Sequence, residues 1–196
     1  MDIPHVIALP GSIRQNSYSL AILSALKAHM EPAVSIEISS VANIPLYNAD
    51  MDDAWGPPGV LELRENISQC DAVVIASPEF NHGMPGLLKN ALDWLSSPYG
   101  SSVLRAKPVL VMTCSPAFTG GVRAFQQLNE TLLSIGAFIP PGPQIVVPLV
   151  DRKITDNVFS DKKTMDFMTG AMNRMLAAVS VGKPLPADIR ERVADY

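Results

Sequence analysis

The chain predicts an α/β fold, a doubly wound parallel sheet of five strands with helices on both faces. Two observations carry that expectation. Short apolar segments, the central ones continuous and rich in β-branched residues, alternate five times with segments whose apolar residues recur at helical spacing. Parallel neighbours also need long crossovers, and the intervening helical segments supply them with the usual right hand.

Val6-Ile7-Ala8-Leu9 reads as the first buried strand, ended by Pro10-Gly11. Ser17 is placed to cap the next helix, whose stripe is Leu20, Ile22, Leu23, Leu26 and Met30. Residues 33–38 alternate as a second strand. A polar, aromatic loop follows, Pro45-Leu46-Tyr47-Asn48-Ala49-Asp50, with Trp55 beyond it, and a second helix over 60–68. Asp71-Ala72-Val73-Val74-Ile75-Ala76 is the third strand, and Leu87, Leu88, Ala91, Leu92 and Leu95 mark the helix after it, with Pro85 in its first turn. The fourth strand spans 108–114. Its helix over 121–135 carries Val122, Phe125, Leu128, Leu132 and Ile135 on one face and stops at Gly136. Ile145-Val146-Val147 is a weaker fifth strand. The last helix, 161–179, turns Met165, Met168, Met172, Met175 and Leu176 inward as core.

Length and composition fit one domain over residues 1–196, with a loosely packed tail after about residue 182. The chain is 47% hydrophobic and 17% charged, as a protein with a well-buried interior is. A formal charge of −4 gives no electrostatic reason to expect nucleic acid or an anionic membrane. No apolar run reaches the roughly 18–20 residues of a membrane span, and Met1-Asp2-Ile3-Pro4-His5 has no signal-peptide character, so a cytoplasmic protein is expected. Cys70 and Cys114, far apart and beside apolar strands, read as core thiols.

In such a sheet the loops after strands one, three and four open along one carboxyl edge, where these folds take ligands. The first, Gly11-Ser12-Ile13-Arg14-Gln15-Asn16-Ser17, lacks the Gly-x-Gly-x-x-Gly of dinucleotide sites and the Gly-Lys-Ser/Thr of triphosphate loops. There is no Gly-x-Ser-x-Gly elbow, which removes the hydrolase reading. What the loop offers is hydroxyls, amides and one arginine at a helix start, a cradle for a small phosphate. Read alone, it fits equally a serine N-cap beside a solvated arginine. The third-strand loop, Pro78-Glu79-Phe80-Asn81-His82-Gly83-Met84-Pro85-Gly86, and the fourth, Ser115-Pro116-Ala117-Phe118-Thr119-Gly120-Gly121, favour the ligand. A flat flavin ring needs amides along its polar edge and little bulk above its face, which Gly83, Gly120, Gly121 and the Asn81 region supply. Phe80 is expected to pack beneath the loop. His82 reads as a surface hydrogen-bonding residue, and no partner at metal-ligand spacing accompanies it.

These segments resemble the NAD(P)H-dependent FMN reductase family, which includes chromate, quinone and azo reductases. The resemblance covers roughly residues 4–180. It rests on Gly11-Ser12-Ile13-Arg14 with Ser17, on Ile44-Pro45-Leu46-Tyr47-Asn48-Ala49-Asp50, on the long segment from Ser77 through Pro85-Gly86-Leu87-Leu88-Lys89-Asn90-Ala91-Leu92-Asp93-Trp94, and on Ser115 through Gly121-Val122-Arg123-Ala124. It implies a flavodoxin-like sheet in the order 2-1-3-4-5, FMN as cofactor, NADPH or NADH as cosubstrate, and a homodimer or homotetramer. Carried over by position, Ser12, Arg14 and Ser17 hold the phosphate, Pro78, Glu79, Phe80 and Asn81 line the ring, and Ser115 and Gly120 close the third side. Tyr18, Ser19, His82 and Gly121 join them as expected cofactor-binding residues. Ser19-Leu20 stands where members often have Asn-Arg, which leaves Arg14 more of the phosphate charge; Phe80 and Gly83 replace a common Tyr and Ser.

The expected activity is hydride transfer from nicotinamide to bound FMN and on to a small acceptor: flavin, quinone, azo compound or metal oxyanion. No protein group is expected as catalytic acid or base. The alternative is a flavodoxin-type electron carrier, or a flavin-binding module without nicotinamide activity. The 44–55 loop either reaches over the flavin of a second subunit or packs Tyr47 and Trp55 locally.

Overall fold

The computed structural model describes residues 3–52, 56–98 and 100–181. Trp55, and the tail expected to be loose after residue 182, lie outside the described residues. Five strands form one parallel sheet: β1 (His5–Pro10), β2 (Ser35–Ile38), β3 (Ala72–Pro78), β4 (Val109–Ser115) and β5 (Ile145–Pro148). Their order is β2-β1-β3-β4-β5, as the resemblance implied. The helices are α1 (Tyr18–Met30), α2 (Pro58–Gln69), α3 (Gly86–Ser96), α4 (Val122–Ile135) and α5 (Lys162–Val181).

Because strand side chains alternate in direction, the central strands feed two separate cores. Val6, Ala8, Val74, Ala76, Met112 and Cys114 face α1 and α5, where Met168, Met172 and Met175 are fully buried. Ile7, Leu9, Val73, Ile75, Val109 and Val111 face α2, α3 and α4. Each such fully buried aliphatic or thioether side chain contributes about 1.5–3 kcal/mol. Both thiols are core residues, and burial pushes the Cys114 thiol up to about 12.

Two local expectations need correction, and one small element was not expected. Val122 does not join the inward face of α4; it opens the helix and is 41% exposed. The second strand starts at Ser35, two residues late, because the chain leaves α1 through a turn at Glu31-Pro32. A two-residue hairpin, β6 (Ile154–Thr155) with β7 (Val158–Phe159), follows β5; its strands are too short to carry a period. It buries Phe159 against the α1 and α5 core. Among the described residues no helix is long and apolar enough to cross a membrane.

Candidate functional site

The sheet order brings the exits of β1, β3 and β4 side by side. The first loop is tied to the next strand at once: Gly11 N–H donates to the Ala76 carbonyl at 2.7 Å. A β-carbon at Gly11 would stand 3.0 Å from Ser77 Cα, so only glycine leaves the two strand exits in contact. Ser12 is buried, and its Oγ accepts the Arg14 N–H at 3.3 Å. Ser17 caps α1 as expected, accepting the Leu20 N–H at 3.3 Å, and its hydroxyl is shared with the buried Ser19 hydroxyl at 2.8 Å. Tyr18 packs on the α1 and α5 core. The loop thus arrives preshaped, with Arg14 exposed and in no ion pair among the described residues.

The third-strand loop makes a tight reversal. Phe80 and Gly83 exchange both backbone hydrogen bonds, at 2.9 and 3.0 Å, with Asn81 and His82 at φ 50° and 68° between them. Two successive left-handed residues make the primed turn that suits a hairpin. The reversal points Phe80 outward, 48% exposed, so it does not pack beneath the loop. Asn81 and His82 are also exposed, while Pro78 is half-buried.

The Glu79 carboxylate takes a different direction from its backbone. Its Oε2 accepts the N–H groups of Arg123 and Ala124 at 2.9 and 3.0 Å. Gly121, the N-cap of α4, has no side chain to do this, and Glu79 supplies the cap from across the loop. Farther along, Gln127 Oε1 accepts the Met84 N–H at 2.7 Å. Both ends of the Phe80–Gly83 turn are therefore held by α4.

In the fourth-strand loop Ser115 Oγ accepts the Ala117 N–H at 3.1 Å, and the Ala117 carbonyl takes the Gly120 N–H at 3.1 Å. Gly120 and Gly121 have φ of 63° and 92°. A β-carbon on Gly120 would meet Val146 Cγ1 at 2.6 Å and Pro148 N at 2.8 Å. The close approach that glycine permits here is to β5, and at Gly83 it is to Gln127, whose Oε1 would lie 2.9 Å away.

The 44–52 segment is pinned to α3. Asn90 Nδ2 and Trp94 Nε1 both donate to the Pro45 carbonyl at 2.8 Å, Asn90 Oδ1 accepts the Tyr47 N–H at 2.7 Å, and Tyr47 meets the Trp94 ring edge-on at 4.9 Å. Tyr47 packs locally, as one of the two readings had it, while Leu46 stands 83% exposed.

The donor set suits a phosphorylated, hydrogen-bonding ligand such as FMN. Among the described residues the N–H groups of Ser12, Ile13, Gln15 and Asn16 have no hydrogen-bond partner, and they precede a helix start beside an unpaired arginine. Residues 4–151 match the family model described as NADPH-dependent FMN reductase. The chain belongs to that family. A quinone reductase of Escherichia coli is 36% identical over 172 residues, covering 85% of this chain and 90% of the relative. An NAD(P)H-dependent FMN reductase of Pseudomonas aeruginosa is 35% identical over 142 residues, 72% of this chain and 76% of the relative. Among solved structures, the flavoenzyme NAD(P)H:(acceptor) oxidoreductase FerB of Paracoccus denitrificans superposes with a TM-score of 0.81 at 28% identity. That match covers 91% of this chain and 98% of the other.

For an FMN reductase family member, the sequence reading missed three residues. Gln127 and Asn90 act on loops 43 positions away, and Arg123 joins His82. Asn90 lies inside a quoted motif segment, which was a signal; Gln127 lies in none.

Proposed function

We propose that this chain is an FMN-dependent NAD(P)H oxidoreductase that reduces small quinone-type acceptors. FMN held by these loops would supply the redox chemistry, hydride acceptance from the nicotinamide and reduction of the acceptor. The chain's own residues bind and orient. Ser12, Arg14 and Ser17 at the start of α1, flanked by Tyr18 and Ser19, would receive the phosphate. The backbone of Pro78, Glu79, Phe80, Asn81 and His82 would meet the ring edge, with Ser115, Gly120 and Gly121 opposite. No acid or base is needed from the protein.

The observation that carries this reading is the preshaped first loop, with free N–H donors and an unpaired Arg14, locked to β3 in a chain of this family. The apolar rim supports a flat, largely apolar acceptor: Ile13, Phe80 and Phe118, one from each loop, are 62%, 48% and 84% exposed. The reading includes one cytoplasmic domain that assembles as a dimer or tetramer, without nucleic-acid or membrane partners. An absorbance spectrum of the purified protein after FMN loading, followed by NADPH under argon, tests it. Loss of the yellow colour, restored by a quinone, is the expected result. A protein that binds no FMN, or whose bound FMN does not bleach, ends the proposal.

A further inference from the structure

The Arg123 guanidinium and the His82 imidazole form a pair of side chains that the flavin-binding reading, which uses only the His82 backbone, leaves over. Arg123 Nη1 lies 2.8 Å from His82 Nδ1. A guanidinium can only donate, so Nδ1 is the acceptor and the ring proton sits on Nε2. One of five guanidinium N–H groups is thereby spent. The rest, and the Nε2–H, make no hydrogen bond among the described residues, although Arg123 Nη1 also forms a long ion pair with Glu79 Oε1 at 3.9 Å. Side-chain exposure is 55% for Arg123 and 73% for His82.

The nearest anion, Glu79, pairs with both groups only at the outer limit of ion-pair range. Glu79 Oε1 is 3.9 Å from both Arg123 Nη1 and His82 Nδ1, and its carboxylate is only 10% exposed because it turns inward to cap α4. A solute approaching this rim meets cationic and N–H donor groups first, with the carboxylate behind them. The left-handed turn at Asn81 and His82, closed by the two Phe80–Gly83 backbone bonds, sets the path of the backbone that carries the imidazole, and the imidazole is bonded to the guanidinium. Glu79 already holds the backbone donors of α4, so an incoming anion must use the side chains.

We propose that Arg123 and His82 bind a phosphate group of the nicotinamide cosubstrate, at the lip of the site where its reactive ring is delivered. This rests on the oxidoreductase reading above. The fork of N–H groups matches phosphate oxygens, and both NADH and NADPH carry a pyrophosphate, NADPH a 2′-phosphate as well.

The test is calorimetric titration of the FMN-loaded protein with NADP+ and with NAD+, neither of which reacts with oxidised flavin, for wild type, Arg123→Met and Arg123→Lys. It is paired with KM and kcat for NADPH and NADH using a water-soluble benzoquinone. In Arg123→Met the dissociation constant and KM rise about 5- to 20-fold, the span of one exposed charge-assisted contact, with kcat held. A rise confined to NADP+ and NADPH assigns the 2′-phosphate; an equal rise for both pairs assigns the pyrophosphate. Arg123→Lys, which keeps the charge but loses the fork, recovers part of the loss. Should Arg123→Met fail to fold, Arg123→Gln, which also removes the charge, takes its place. Constants within about twofold of wild type for both nucleotides overturn the assignment. If wild type itself oxidises neither nicotinamide, the functional reading fails; if it does and the variants match it, only this inference falls.

Discussion

Glu79 and Ala124 are 45 residues apart in the chain and joined at 3.0 Å, the carboxylate of one accepting the backbone N–H of the other. With the companion bond to the Arg123 N–H, it makes the start of α4 and the exit of β3 one unit. A loop expected to line a ring is thereby fastened to a helix on its far side.

Removing that carboxylate should cost stability before anything else. Glu79→Ala leaves two N–H groups at a helix start without their acceptor, a loss of about 1–2 kcal/mol. Glu79→Gln keeps an oxygen in place and should lose less than half as much. Urea unfolding of both variants checks this; equal losses would mean that packing, rather than the cap, matters at this position.

Gly83 and Gln127 should prove coupled. A methyl on Gly83 would press on Gln127 Oε1 at 2.9 Å and push it off the Met84 N–H. Gly83→Ala and Gln127→Ala should each cost about 1 kcal/mol for that one bond, yet Gly83→Ala made in the Gln127→Ala background should cost almost nothing. A double-mutant cycle measures the difference, and simple additivity would refute the coupling.

Position 120 admits no such relief. Its left-handed φ of 63° and the backbone of β5 at 2.8 Å leave no room for a β-carbon. Gly120→Ala should destabilise by about 2–4 kcal/mol, combining backbone strain with overpacking. Thermal unfolding reads this directly.

What was legible in the sequence is what depends on short-range pattern. Ser17 caps α1, Gly136 ends α4 at φ 84°, and the methionines of α5 are buried because spacing alone fixes which way they face. Phe80 was placed wrongly because its direction depends on Asn81 and His82 both turning left-handed, and neither residue type demands that by itself. Val122 was placed wrongly because helical spacing was extended to the first residue of α4, where the helix has not yet turned onto the sheet. The direction of the Glu79 carboxylate was not legible, because its motif position gives only the path of its backbone, while the N–H groups it accepts, those of Arg123 and Ala124, lie 44 and 45 residues farther along the chain.

Stability should fall in acid through Asp161 at the start of α5. Hydrogen bonds from Thr164 and Lys153, with the nearby lysine charge, hold its carboxyl at about 2 rather than the ordinary 3.8. A depressed value means that the folded state favours the ionised form. The contribution is complete above about pH 4 and is lost as pH falls toward the folded value. The side chain is a third exposed, so solvent screens the effect. The melting-temperature gap between wild type and Asp161→Asn should be widest above pH 4 and narrow below it. A gap independent of pH would show that the carboxylate's charge contributes nothing.

Arg14 and Ser17 should separate binding from folding. Arg14 is exposed and makes no ion pair among the described residues, so Arg14→Ala should leave unfolding unchanged. Its guanidinium is the only side-chain cation in the 11–17 loop, so FMN affinity should fall by about 1.5–3 kcal/mol, read as an increase in the dissociation constant by fluorescence titration. Ser17 is different, because its hydroxyl is already engaged with the Leu20 N–H and with Ser19. Ser17→Ala removes a helix cap and strands a buried hydroxyl, so it should lower stability by about 1 kcal/mol even without flavin. If Arg14→Ala bound FMN as wild type does, Arg14 would have no part in holding the phosphate, and the contact would rest on the unpartnered N–H groups of Ser12, Ile13, Gln15 and Asn16 at the start of α1.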